Sequence, residues 1–300
     1  MTSPTIAGLR SVALVVPDLD AATTFFTATW HLDEAARTAD AVYLRATGPA
    51  HHVLSLHRGA APAVRDVTLQ ARDAAALGTV AALTRDAGGR VLREATRVDE
   101  PGGGTALTIA DPTGRVYRIV HGDAPARDRG AVADRPIRLA HVVLNAADVA
   151  GAQTFLERAL GFKLSDRTRI MAFLRCNTDH HSIAFADADK DALNHIAFLM
   201  PDTESVMRGG GRLKDAGYPI EWGPGRHGPG HNTFNYFIGP GGVVVEYTAE
   251  VEEVDDSYRT GGPTDWTWPP GRVDHWGISA PPSARLKAAQ KVIGFAPAAG

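Results

Sequence analysis

The chain has 300 residues, enough for two modest domains with a core apiece. Its 44% hydrophobic and 22% charged content is that of an ordinary folded protein, and a formal net charge of -3 argues against nucleic-acid binding, which goes with a basic excess. No apolar run approaches the roughly 20 residues that cross a bilayer, no basic stretch precedes the short "VALVV" run, and Cys176 is the sole cysteine; the expectation is a cytoplasmic protein with no membrane contact and no disulfide framework.

In chain order, "SVALVV" reads as a strand and Asp18 as the cap of a helix through "LDAATTFFTATW". "AVYLRAT" and "HHVLSLH" read as strands separated by a turn at Gly48-Pro49, and "VRDVTLQAR" as another. "AAALGTVAALTRDAG" has helical spacing and stops at Gly88-Gly89. "GTALTIADPTGRVYRIVHG" is a hairpin turning at "DPTG". The order is β-α-β-β-β, twice over if this half holds two units. Residues 1–122 make up this first half, and the polar, Gly- and Pro-rich residues 123–137 form a linker. Residues 138–250 repeat the plan: strand "AHVVLNA", helix "DVAGAQTFLERALGF", paired strands "IMAFLRCN" and "HHSIAFA", strand "NHIAFLM", a helix "TESVMRGGGRLKDAG" interrupted by three glycines, and the hairpin "NTFNYFIGPGGVVVEYTAE". Residues 251–300 form a tail, first acidic, then carrying Trp266, Trp268 and Trp276 among prolines, and ending in a short helix with a frayed terminus.

The two halves align without gaps where it matters. "LRSVALVVPDLDAATTFF" from Leu9 matches "LAHVVLNAADVAGAQTFL" from Leu139, which sets Ser11 opposite His141. "VRDVTLQ" against "LNHIAFL" sets Asp66 opposite His195, and "DPTGRVYRI" against "GPGGVVVEY" sets Arg118 opposite Glu246. An internal repeat settles architecture before any local assignment. Here it also singles out three residues that only the second copy could use to bind a metal. Two histidines and one carboxylate can cover one face of a metal and leave positions open on the other, the facial triad of non-haem iron(II). Glu246 is the most telling, because a carboxylate in the apolar run "VVVEY" is costly unless paired or metal-bound.

The second half resembles the catalytic domain of the type I extradiol (ring-cleaving) dioxygenases of the vicinal oxygen chelate superfamily. The likeness is carried by "AHVVL", "FLRCNTDHHSIAF", "NHIAFL" and "GRHGPGHNTFNYFIGPGGVVVEY". It implies an α+β fold of two tandem domains, each a pair of β-α-β-β-β modules, with only the second domain binding metal. It implies iron(II) held by His141, His195 and Glu246, and manganese(II) accepts the same ligands. It also implies a catechol-type diol and O₂ as the reactants, in aromatic catabolism, and a homo-oligomer.

The resemblance selects His181, rather than its neighbour His180, as the acid/base near the O₂ position; successive strand residues face opposite ways, so only one can look inward. It makes Tyr236 and His227 partners of the substrate oxygens, Phe173 a wall beside the ring, and His231 a further pocket candidate. It lays the tail segment "DWTWPPGRVDHWGIS" over the site, with Trp266, Trp268 and His275 helping to close it. Cys176 reads as a small buried hydrophobe. One departure stands out: Pro229 and Gly230 replace the Asn-Asp that biphenyl-diol members commonly carry after the His227 position, so substrate identity does not transfer. Two other functions fit parts of the pattern, a glyoxalase-type metal isomerase or lyase, and a metal-free protein that binds small aromatics.

Overall fold

The computed structural model describes residues 3–297. Four β-α-β-β-β modules follow one another. The first is β1 (Ile6–Val16), α1 (Leu19–Thr24), β2 (Asp33–Arg37), β3 (Ala41–Arg45) and β4 (Leu54–Arg58). The second is β5 (Ala63–Ala71), α2 (Ala74–Asp86), β6 (Arg90–Arg97), β7 (Thr105–Ala110) and β8 (Val116–His121). The third is β9 (Arg138–Ala146), α3 (Val149–Leu160), β10 (Lys163–Arg167), β11 (Met171–Arg175) and β12 (Ile183–Asp187). The fourth is β13 (Ala192–Leu199), α4 (Thr203–Asp215), β14 (Trp222–Arg226), β15 (Thr233–Ile238) and β16 (Val244–Ala249). Each module helix opens on an aspartate, Asp18, Asp73, Asp148 or Asp202, whose side chain accepts a backbone N–H three residues on and so caps a helix end that has no partners of its own.

The modules pair into two mixed sheets. The first has the order β2-β3-β4-β1-β5-β8-β7-β6 and the second β10-β11-β12-β9-β13-β16-β15-β14. The first strands of the paired modules run antiparallel at the centre, β1 on β5 and β9 on β13, each flanked by a parallel partner. Strand alternation separates two uses of the central strands. On β9, Val142 and Leu144 join the main core, while His141, Val143 and Asn145 line a cavity on the opposite face. That core is continuous across the two halves. Trp30, from the turn of π-helix that continues α1, stacks on Tyr247 of β16 at 3.7 Å between ring centres, and Tyr247 Oη donates to the Trp30 carbonyl at 2.8 Å.

Three expectations need correction. The glycines of "RGGGR" do not interrupt α4, which runs unbroken through them. A Cβ on Gly209 would meet the Tyr247 ring at 2.7 Å, and one on Gly210 would meet Asn235 Nδ2 at 2.9 Å, so the absent side chains are what lets this helix lie close on its sheet. The edge strands β2, β6, β10 and β14 escape a reading of hydrophobic alternation because their outward faces are polar or glycine-rich. The tail does more than end in a frayed helix: α5 (Ala284–Ala289) packs Leu286 beside Phe234 and Tyr236, and β17 (Gly294–Phe295) then joins β5 of the first sheet. The linker residues are tied down as well, since Asp33 pairs with both Arg129 and Arg135. Among the described residues no helix is long and apolar enough to cross a membrane.

Candidate metal centre and its cavity

The second sheet brings the three predicted ligands together through its register. Ala197 of β13 pairs with His141 on β9 to one side and with Glu246 on β16 to the other. His195 lies two residues before Ala197, on the same face of that strand. Three long side chains therefore converge above the small methyl of Ala197. Their donor atoms all lie within 4.8 Å of one another, and among the described residues this is the one such cluster of three.

The charges and tautomers at this point call for a cation. Glu246 is fully buried, and both His141 Nε2 and His195 Nε2 stand 3.1 Å from its Oε2. Burial by itself opposes charge on this carboxyl, but the facing imidazole of His141 foremost outweighs it and holds the group well below the usual range, so Glu246 is ionised. The Nδ1–H of His195 donates to Asn194 Oδ1 at 2.8 Å, which leaves its Nε2 as a lone pair facing the carboxylate. Burial pushes His195 down to about 4, against attraction from Glu246, and so keeps the ring neutral. No Lys or Arg ion-pairs with Glu246 among the described residues. Two ring nitrogens and a carboxylate oxygen thus share a dry point without a protein cation, and the donor set fits a divalent metal of the iron(II) or manganese(II) kind.

Asn194 reaches this point because β13 carries a bulge. The register with β9 shifts between Leu193 and His195, so two successive residues, Asn194 and His195, line the cavity. The amide is locked from three sides: Oδ1 accepts from His195 and from Gln290 Nε2 at 2.8 Å, and Nδ2 donates to Asn145 Oδ1 at 2.8 Å. The sequence gives no sign of this residue's role beyond its adjacency to His195.

The predicted acid/base and substrate-facing residues are sorted by the same sheet. His181 lines the cavity with its ring 4.3 Å from that of His141 and edge-on to Phe173 at 5.1 Å. His180 turns the other way and bonds Asp166 Oδ2 through Nε2 at 2.7 Å, while its Nδ1 lies 3.0 Å from His181 Nδ1. His180 donates to the Asp166 carboxylate from Nε2, and where His181 donates from Nδ1 to His180 Nδ1 its own Nε2 carries the lone pair that can take a proton. Burial, reinforced by His141 and His180, drives His181 well below its usual value, so the ring is neutral.

Tyr236 pairs directly with Glu246 across the β15–β16 ladder. Its hydroxyl lies 3.0 Å from His227 Nε2 and 3.5 Å from His195 Nε2. Burial and the charge of Glu246 raise it well above its usual value, so it remains a neutral phenol able to donate. His227 stacks on Phe234 at 4.0 Å, with Nε2 3.7 Å from Glu246 Oε1. Asn232, not anticipated from sequence, donates to Thr248 at 2.7 Å and approaches Glu246 Oε1 at 3.4 Å.

His231 does not belong to this group. It follows Gly230 in a left-handed turn with φ of 51°, is exposed, and faces His275 at 5.4 Å rather than the cavity. His275 does not line the cavity either, but Trp266 and Trp268 do, from the tail. The cavity of about 760 Å³ has His141 and His195 in its lining, with Glu246 buried against them, and Trp222, Phe173, Met171 and Val273 supply apolar wall.

The first sheet repeats the register with different chemistry. Thr68 of β5 pairs with Ser11 on one side and Arg118 on the other, as Ala197 does with His141 and Glu246, and Asp66 stands two residues before Thr68. The guanidinium of Arg118 ion-pairs with Glu100. These residues set a fixed cation where the second sheet has its carboxylate, and they cannot form a facial triad.

The profile of the Glyoxalase/Bleomycin resistance protein/Dioxygenase superfamily matches residues 138–247. The chain is 33% identical to the Mn(II)-bound glyoxalase of Novosphingobium aromaticivorans, over 95% of this chain and 94% of that one, with a TM-score of 0.87. It is 30% identical to metapyrocatechase 2 of Cupriavidus necator over 62% of this chain, a match that spans 66% of that relative, just under two thirds of its length. It is 25% identical to the manganese-dependent 2,3-dihydroxybiphenyl 1,2-dioxygenase of Geobacillus genomosp. 3, over 79% of this chain and 82% of that one. With four modules, a metal-ready second sheet and a likeness that runs through both halves, the chain belongs to the Glyoxalase/Bleomycin resistance protein/Dioxygenase superfamily.

Proposed function

We propose that the protein is an extradiol dioxygenase that opens a catechol-type ring beside its two hydroxyls with O₂, at a mononuclear iron(II) centre held by His141, His195 and Glu246. One observation carries this reading: His141, His195 and Glu246 converge at one point, the two histidines in the cavity lining and the carboxylate buried against them, while His181, Tyr236 and His227 line the space around them. A bound divalent ion would supply a template that gathers the diol oxygens and O₂ at neighbouring open positions. Tyr236 would donate a hydrogen bond to a substrate oxygen, with His227 behind it holding the phenol in place. His181, neutral and with Nε2 unprotonated, would take a proton released by the diol and return it later in the cycle. Phe173 and Trp222 would wall the ring and keep out water. The relatives named metapyrocatechase and dihydroxybiphenyl dioxygenase support this chemistry, and the two manganese-linked names make manganese(II) the metal to compare with iron. The proposal includes a cytoplasmic homo-oligomer, in keeping with the single buried cysteine and the family resemblance.

A glyoxalase-type reaction is the second reading, because a 33% identical neighbour bears that name. O₂ consumption separates the two. Purified protein loaded with iron(II) or manganese(II) is expected to consume one O₂ per catechol and to form a yellow ring-opened product. His195→Ala is expected to bind less metal and form none. Full turnover by that variant would refute the ligand assignment, and metal-loaded protein that opens no catechol while catalysing an O₂-independent isomerisation would establish the alternative.

A further inference from the structure

The far end of the cavity is cationic, and the metal centre does not require that charge. Arg169, Lys287 and Lys291 all line it, and none of them ion-pairs with a carboxylate among the described residues. The one acid on that wall, Asp187, is already taken by Arg167 at 2.7 Å. Lys287 and Lys291 are four residues apart on a helical turn that continues past α5, since Gln290 N still donates to Leu286 O and Lys291 N to Ala288 O. Four-residue spacing sets both ammonium groups on one helix face.

The sheet register shows how far this end lies from the ligands. Asn145 of β9 pairs with Ala186 of β12 and Ala192 of β13, and Ala186 pairs with Met171. These residues share one level. The turn bearing Arg169 closes there, through Asp187 N to Ile170 O. Asn145 Nδ2 donates to Gln290 O at 2.7 Å and brings the lysine-bearing turn to the same level. From His141 to Asn145 is four residues, about 13 Å of strand at roughly 3.3 Å per residue. Between the two levels the wall is Val143 and Phe173, which share the register step of Ala184, and Met171 continues it at the level of Asn145. A lone catechol would fill only the base of a space this long.

Building on the ring-cleavage reading, we infer that the substrate is a catechol bearing a bulky apolar arm that ends in a carboxylate, the arm lying along the Phe173–Met171 wall and the carboxylate meeting Lys287, Lys291 and Arg169. Deprotonated carboxylates suit such a site because ammonium and guanidinium groups on long stems can close on them at little conformational cost to the sheet.

The test compares 2',3'-dihydroxybiphenyl-4-carboxylic acid with biphenyl-2,3-diol on the metal-loaded protein. The carboxylated diol is expected to have a kcat/KM about tenfold higher at low salt, the effect of two or three partly exposed charge pairs, and the preference should shrink as salt screens them. In the Lys287→Gln/Lys291→Gln double variant the ratio should fall to about one. Equal rates in the unsubstituted protein, or a ratio that survives both substitutions, overturn the inference. A second measurement needs no turnover: quenching of the cavity tryptophans by biphenyl-4-carboxylate against its neutral isostere biphenyl-4-carboxamide. If both diols are opened without a carboxylate preference, the arm assignment fails and ring cleavage stands. If neither diol is opened yet the carboxylate binds more tightly in a lysine-dependent way, ring cleavage fails and the arm site stands.

Discussion

Asn194 Oδ1 accepts the Nδ1–H of His195 at 2.8 Å, and it is this bond that turns the other nitrogen of the ring, bare, toward Glu246. Partners of this kind orient a metal-ligating histidine and fix its tautomer. Asn194→Ala is expected to weaken manganese(II) binding by about 10- to 100-fold in a calorimetric titration, while Asn194→Asp, which keeps the acceptor, retains most of the affinity. Unchanged affinity in the alanine variant would show that His195 needs no such support.

His181 contacts the ring of His141 but is not part of the ligand cluster. Its replacement should therefore separate chemistry from metal binding. His181→Asn is expected to lower kcat by about 10²- to 10⁴-fold, with metal affinity changed only a few-fold. A parallel loss of metal would make His181 a structural member of the centre instead.

The buried histidines also predict how the metal-free protein responds to acid. His195 and His57 are each pushed down to about 4, foremost by burial, whereas in the unfolded chain both return to about 6.5. Between those values the unfolded chain binds more protons than the folded one, so stability is full above about 6.5 and is lost as pH falls toward 4. The thermal midpoint of chelator-treated protein should drop by about 5 °C or more across that window. His57→Gln should flatten part of the slope, and a midpoint that stays level would contradict the burial of these rings.

Two glycines two residues apart on α4 should respond in opposite directions to the same change. A Cβ at Gly209 would press on Tyr247 at 2.7 Å, while one at Gly211 meets nothing within 4 Å. Gly211→Ala should stabilise by about 0.5–1 kcal/mol through helix propensity. Gly209→Ala should destabilise by about 1–3 kcal/mol through overpacking against the ring. Urea unfolding of the two variants checks both signs, and a stabilised Gly209→Ala would mean that α4 can shift off its sheet.

The repeat makes much of this molecule legible in its sequence. Ser11, Asp66 and Arg118 occupy the register positions of His141, His195 and Glu246, as gap-free alignment of the two halves required. Tyr236, which the family resemblance marks by its place ten residues before Glu246, pairs with that glutamate across the hairpin. What stayed hidden depended on irregularity or on distance along the chain. Asn194 faces the cavity only because a bulge breaks strand alternation, and hydrophobic periodicity carries no record of bulges. His231 sits beside true pocket residues in sequence, yet a left-handed turn sends it outward. Lys287 and Lys291 lie more than ninety positions from His195 and reach the cavity only because the tail folds back.

The guanidinium of Arg118, clasped by Glu100 in the first sheet, has a consequence for the economy of the whole chain. Covalently attached, that charge cannot be chelated, oxidised or outcompeted. Starving the protein of metal should therefore leave one half of it indifferent and disturb the other alone, so that nuclear magnetic resonance shifts on adding an ion concentrate on the strands after residue 138.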